Sequence, residues 1–120
     1  MGVQRAVISV TTDASGDYSE TIQSPLGRFL QFHYIPDGSS PLATGADLTV
    51  TEDDTGVVLI SNVNIGLSAF TKAPRQITHL NTDGTADTIT DFVYTVGDVT
   101  LTIAQGGNAL SGVFYLYFGE

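Results

Sequence analysis

Two histidines, thirteen carboxylates and no cysteine make up the reactive inventory of this chain. His33 sits beside Gln31 on one face of an alternating segment, where an imidazole can serve as ligand or base. A strand histidine at a surface or interface accounts for the same letters. His79 lies near Asp83 and Asp87, a pairing that supports acid–base chemistry, but no serine or cysteine nucleophile stands in a recognisable elbow. Asn81-x-Asp83-Gly84-x-x-Asp87 places oxygen ligands around a glycine, as short calcium loops begin, yet lacks the later bidentate glutamate. A turn whose Asn and Asp side chains bond their own backbone reads identically. Glu52-Asp53-Asp54 and Asp13-x-Ser15-x-Asp17 form a second divalent-ion candidate if one end of the fold unites them. Paired carboxylates also suggest glycoside hydrolysis, but that chemistry needs a cleft lined by aromatics, and tryptophan is absent. Gln105-Gly106-Gly107-Asn108 lacks the Lys-Ser/Thr and the helix of a phosphate loop. The expectation is a non-enzyme, with no catalytic, cofactor-binding or metal-ligating residue assigned.

The segments that must hold these residues read as strands. Residues 3–10, 18–22, 28–35, 46–51 and 57–60 are apolar or alternating runs, separated by Asp-, Gly-, Ser- and Pro-rich turns. In 28–35, Leu30, Phe32 and Tyr34 fall on one face, while Phe29 and Ile35 join Gln31 and His33 on the other. Residues 61–91 lose the pattern, with one strand around 76–80, and form the long connection of the domain. Alternation returns over 92–96, followed by Gly97-Asp98 as a two-residue hairpin turn. Val99, Leu101 and Ile103 then alternate with Thr100, Thr102 and Ala104, and Gly106-Gly107-Asn108 marks a reversal into 112–118. In that last run Val113, Tyr115 and Tyr117 line one face and Phe114, Leu116 and Phe118 the other. A strand apolar on both faces must be covered on both, deep in a sandwich or at a subunit contact.

No stretch shows a helical stripe. Eight or nine short strands at roughly 8–14-residue spacing predict an all-β, single-domain antiparallel β-sandwich, jelly-roll-like, over residues 1–120, with a closed barrel as the alternative. At this length a core forms without metals or crosslinks. The opening residues lack a basic segment followed by an apolar run, so no signal peptide is expected. Ala6 argues against myristoylation at Gly2, and no apolar stretch nears the about 18 residues that span a bilayer. Thirteen acids against four bases (Arg5, Arg28, Lys72, Arg75) give a net charge of −9. Such a surface repels nucleic acid and anionic membrane, so neither is an expected partner. Many of the acids stand singly at turn positions that favour Asp.

Several segments carry a resemblance. They are Val10-Thr11-Thr12-Asp13-Ala14-Ser15-Gly16, Gly27-Arg28-Phe29-Leu30-Gln31-Phe32-His33-Tyr34 and Ala46-Asp47-Leu48-Thr49-Val50-Thr51. Further along come Pro74-Arg75, Asn81-Thr82-Asp83-Gly84 and the run from Val99 to Asn108. With these the chain resembles the small all-β structural proteins of tailed bacteriophages, of the capsid decoration (cement) type. One departure is Lys72-Ala73 before Pro74, where the family often has an aromatic. The resemblance implies a virion protein made in the host cytoplasm and bound to the capsid exterior. Its implied partners are the major capsid protein and its own copies, as a homotrimer.

The expected self-association residues are Phe114, Leu116 and Phe118. Arg5, Arg28, Lys72 and Arg75 are the candidates for pairing with capsid acids, as the four cations of an acidic body. Two alternatives remain: a phage tail or fibre-base module of the same sandwich type, and a carbohydrate-binding β-sandwich with calcium near Asp83 and Asp87. In the latter, Tyr34, Tyr94, Tyr115 and Tyr117 would stack on sugar in place of tryptophan.

Overall fold

Alternating apolar and hydroxyl side chains give each strand one face fit for burial and one fit for water, so the strands pair into sheets and the sheets stack. The computed structural model describes residues 2–23, 27–79 and 86–119, without the side chains of 76–79 and 86–91. The described residues form ten strands: β1 (Gln4–Thr11), β2 (Tyr18–Ile22), β3 (Gly27–Pro36), β4 (Asp47–Glu52), β5 (Val58–Asn62), β6 (Phe70–Lys72), β7 (Arg75–His79), β8 (Ala86–Thr95), β9 (Val99–Ala104) and β10 (Ser111–Gly119). The larger sheet has the order β1-β10-β3-β8-β7, with β6 also paired to β3, and the smaller has β2-β9-β4-β5.

This order is that of a jelly roll. The chain behaves as one long hairpin whose tip lies between β4 and β5, rolled into two layers. Its first half pairs with its second, β1 with β10, β2 with β9, β3 with β8 and β4 with β5. Consequently most turns cross between sheets instead of closing hairpins. Gly97-Asp98 carries the chain from β8 in one sheet to β9 in the other, so the two-residue hairpin expected there is corrected to a crossover. The Gly106-Gly107-Asn108 reversal and the 13–17 turn are crossovers too. They lock together: Gly106 donates its amide to the Gly16 carbonyl at 2.8 Å, and the Thr12 hydroxyl donates to the Gly107 carbonyl at 2.5 Å. Gly16 has φ +83°, and a Cβ there would lie 2.9 Å from the Gly106 and Gly107 nitrogens, so glycine is required on both counts.

The core fills the space between the sheets. Phe29, Phe32, Tyr34, Phe114, Leu116 and Phe118 face Leu48, Val50, Val99, Leu101 and Ile103. The expectation that Phe29 faces away from Phe32 and Tyr34 is corrected. The β3–β10 register slips between Tyr117 and Phe118, so Tyr117 pairs with Gln31 and Phe118 with Phe29. The extra residue, Leu30, absorbs one alternation and returns Phe29 to the core. Phe114, Leu116 and Phe118 are 0–1% exposed. The expectation that they form a self-association contact is therefore corrected, because the opposite sheet already covers that face.

Residues 61–91, expected to hold one strand, contain β6, β7 and the start of β8. β8 pairs with β3 only from Val93 to Thr95, and β6 takes over β3 from Phe32 to Tyr34. Between these levels β7 and the first half of β8 leave the sheet as a two-stranded arm. The radius of gyration, 15.3 Å, exceeds the about 13.5 Å of a compact domain this long, as an arm requires.

The two faces of β10 should respond differently to truncation. Phe114→Ala should cost about 3–5 kcal/mol in urea unfolding, and Tyr115→Ala about 1 kcal/mol. Equal losses would mean that the outer face is also covered.

Candidate functional site

The outer face of the larger sheet is where reactive and aromatic side chains gather. Register sets its rows. Arg5, Tyr117 and Gln31 align across β1, β10 and β3, followed by Val7, Tyr115, His33 and Thr71, and then by Ser9, Val113 and Ile35. Beyond the bulge, Arg28 lies between Gly119 and Tyr94, and Arg75 pairs with Phe92. The Arg5 guanidinium stands 5.2 Å from the Tyr115 ring centre, and those of Arg75 and Arg28 stand 3.8 and 5.4 Å from that of Phe92. Such stacking holds each guanidinium plane while leaving much of its donor fork open. Arg75 spends one nitrogen on the Ala73 and Pro74 carbonyls, and the Arg28 Nε is buried without a hydrogen-bond partner. Val7, Ile35 and Tyr94 are 46%, 41% and 52% exposed, large values for apolar and aromatic groups on a sheet face. Lys72, the fourth base, pairs with inward-facing Phe32 and so stands on the other side of the sheet.

His33 therefore belongs to this face. Its Nδ1 shares a 2.5 Å hydrogen bond with the Thr71 hydroxyl, and its ring centre lies 6.3 Å from that of Tyr115. Among the described residues no three His, Cys, Asp or Glu groups converge as metal ligands. Asn81, Asp83 and the side chains of His79 and Asp87 lie outside the described residues, and with them the calcium-loop reading. The second ion candidate is corrected. Glu52-Asp53-Asp54 adjoin the start of β9, through Asp53 bonded to Asp98. The 13–17 turn adjoins its far end, through Gly16 bonded to Gly106. The length of β9 separates them. The sugar-stacking set is divided as well, since Tyr34 is in the core while Tyr94, Tyr115 and Tyr117 share the outer face.

A shallow groove of about 300 Å3 beside the 13–17 turn is lined by Asp13, Asp17, Tyr18, Ser19 and residues of β9. Two of its groups are committed locally. One Asp13 oxygen accepts the amides of Ser15 and Asp17 at 2.9 and 3.0 Å, and the Tyr18 hydroxyl donates to Glu20. Burial and then the Glu20 carboxylate push the Tyr18 phenol up to about 12, so it holds its proton at neutral pH.

The opposite charge collects at the corner where the β4–β5 turn meets the β8–β9 crossover. Glu52 is fully buried there and joins the two. One oxygen accepts the Thr55 amide and hydroxyl at 2.7 and 2.6 Å, and the other accepts the Val96 amide at 3.3 Å. Asp53, Asp54 and Asp98 surround it, all exposed. The Asp53 amide donates to the Asp98 carbonyl at 2.8 Å, and its carboxylate accepts the Thr100 hydroxyl at 2.7 Å. The Asp54 carboxylate rests where a side chain on Gly97 would be.

No family model matches the chain, and neither does any curated protein. Among solved structures it is similar to the crystal structure of FLHE, at 12% identity and a TM-score of 0.45, with both chains covered in full. It is also similar to a chain in the structure of infectious bursal disease virus, Gx strain, at 14% identity and a TM-score of 0.20. That match covers 96% of this chain and 38% of the viral one. Neither likeness is strong enough to argue from, so the jelly-roll assignment rests on strand order.

Glu52 supplies a pH-dependent prediction. The Thr55 hydroxyl, ahead of the backbone amides, holds its carboxyl below the ordinary 4.5, and this outweighs the opposing effect of burial. The folded protein thus takes up that proton less readily than the unfolded chain. The stability it contributes is complete above 4.5 and drains away as pH falls below that value. Glu52→Gln should lower the melting temperature by several degrees at neutral pH, with the difference narrowing as the pH falls below 4.5. A difference that persists in acid would assign the loss to packing.

Proposed function

We propose that this chain is a non-enzymatic virion structural protein of the capsid decoration type. It binds the major capsid protein on the outside of the assembled head and works as a homotrimer. The observation that carries this reading is the uncovered aromatic and arginine face of the larger sheet, presented by a jelly roll whose other sheet face is closed in the core. Interfaces are enriched in Tyr, Phe and Arg and depleted in Lys, Glu and Asp, which is the composition of this face. The resemblance of the strand and turn segments to phage decoration proteins supports the same reading. The −9 charge also suits the exterior of a head better than a surface facing packaged DNA.

The mechanism is mass action. A domain that bridges neighbouring subunits binds the intact shell and not the dispersed subunits, so its binding energy adds to the stability of the shell. Its chemistry needs no turnover, only a rigid scaffold and a complementary face.

Heads assembled without this chain should bind the purified protein in co-sedimentation and then release DNA at a higher temperature than bare heads. Failure to bind, or unchanged thermal release by decorated heads, would reject the reading.

A further inference from the structure

We propose that the outer face of the larger sheet docks onto the acidic corner of a second copy of this chain, head to tail. The inference deepens the homotrimer part of the reading above and rests on that part alone: it gives the arginine face to the contact between copies, and the capsid then meets the remaining surface of the ring. Its basis is the separation of charge. Of four bases on a body of net charge −9, Arg5, Arg28 and Arg75 stand on one face, and among the described residues that face presents no carboxylate. Asp53, Asp54 and Asp98 stand together at the Glu52 corner, each exposed, with the Asp53 carboxylate held by the Thr100 hydroxyl and its amide by the Asp98 carbonyl. Two such molecules repel in most orientations, and the arginine face against this corner is the attractive one. The chemistry matches in detail. Guanidinium forks pair bidentately with carboxylates, and here they are already oriented by stacking on Tyr115 and Phe92.

Face and corner are different surfaces, so each copy uses both and the contact is heterologous. A heterologous contact closes into a ring when its rotation allows, and a threefold ring is the assembly that the homotrimer reading requires.

Sedimentation velocity of the full chain tests this. At about 50 mM salt the protein should form a species larger than a monomer, and about 500 mM should weaken that assembly by at least about tenfold. Arg5→Glu combined with Arg75→Glu should be monomeric, as should Asp53→Asn, Asp54→Asn and Asp98→Asn combined. Mixing the two variants should restore a dimer, because an intact corner on one meets an intact face on the other. Circular dichroism and melting establish that each variant is folded, and Arg5→Glu alone serves if the double variant is not. A wild type that is monomeric at both salts overturns the proposal, as does an Asn variant that assembles like wild type or a mixture that stays monomeric. A monomeric chain that still protects heads from heat would sink this contact and leave capsid binding standing.

Discussion

Burial of the inner face of β10 against β3 and the smaller sheet organises this molecule. Phe114 stacks on Tyr34 with ring centres 4.8 Å apart and lies 5.5 Å from Phe32, while Phe118 lies 5.4 Å from Phe29. Phe70 extends the row at 5.6 Å from Tyr34 and 6.1 Å from Phe32. These rings line the larger sheet as an aromatic ladder in two groups, Phe29 with Phe118 and Phe32, Tyr34 and Phe70 with Phe114, and each such pair adds about 0.5–1.5 kcal/mol beyond the area it buries. The ladder also fixes what lies outside it. With Phe114, Leu116 and Phe118 inward, alternation forces Tyr115 and Tyr117 outward, where they meet Arg5 and His33.

The remaining constraints are local ties that let a rolled hairpin hold its shape at both ends. At one end Thr12, Gly16 and Gly106 join two crossovers, and at the other Glu52 joins a hairpin tip to a third. The Tyr34 hydroxyl, whose burial pushes its phenol up to about 12, donates to the Gly66 carbonyl at 2.7 Å and pins the chain that follows β5. A Cβ on Gly66 would come within 1.9 Å of the Ala43 carbonyl oxygen, so the backbones meet there without a side chain between them. Such ties satisfy buried polar groups that a crossover leaves unpaired. They keep the two sheets in one fixed relation, which a binding face needs if its rows are to present a constant pattern.

The surface that results is unequal. Hydroxyls of Ser19, Thr21, Thr49, Thr51, Thr100 and Thr102 cover the outer face of the smaller sheet in paired rows. Arginine and aromatic rings cover that of the larger one. An acidic protein that gathers its few guanidiniums on one face carries a directional charge pattern even though its net charge is large and negative.

Much of this fold is legible in the letters. The strands around Val7, Phe32, Leu48, Leu101 and Leu116 follow from period-two alternation, and their boundaries from Gly, Asp and Pro, because both signals act within a few residues. The opposite faces of Phe114 and Tyr115 follow in the same way. What the letters leave open is which strand each one meets. The Gly97-Asp98 and Gly106-Gly107 turns have hairpin chemistry but join strands in different sheets. Leu30 reads as an ordinary alternating residue, yet partner register makes it a bulge and reverses Phe29. Arg5, Arg28 and Arg75 lie far apart in sequence and come to share one face only through the pairing of β1, β10, β3, β8 and β7. Alternation is written residue by residue, so the sequence alone decides where strands run and which side chains share a side. Pairing across a hundred residues is settled by whole sheets burying their apolar faces together, so only the tertiary structure decides which side is core and which is open to a partner.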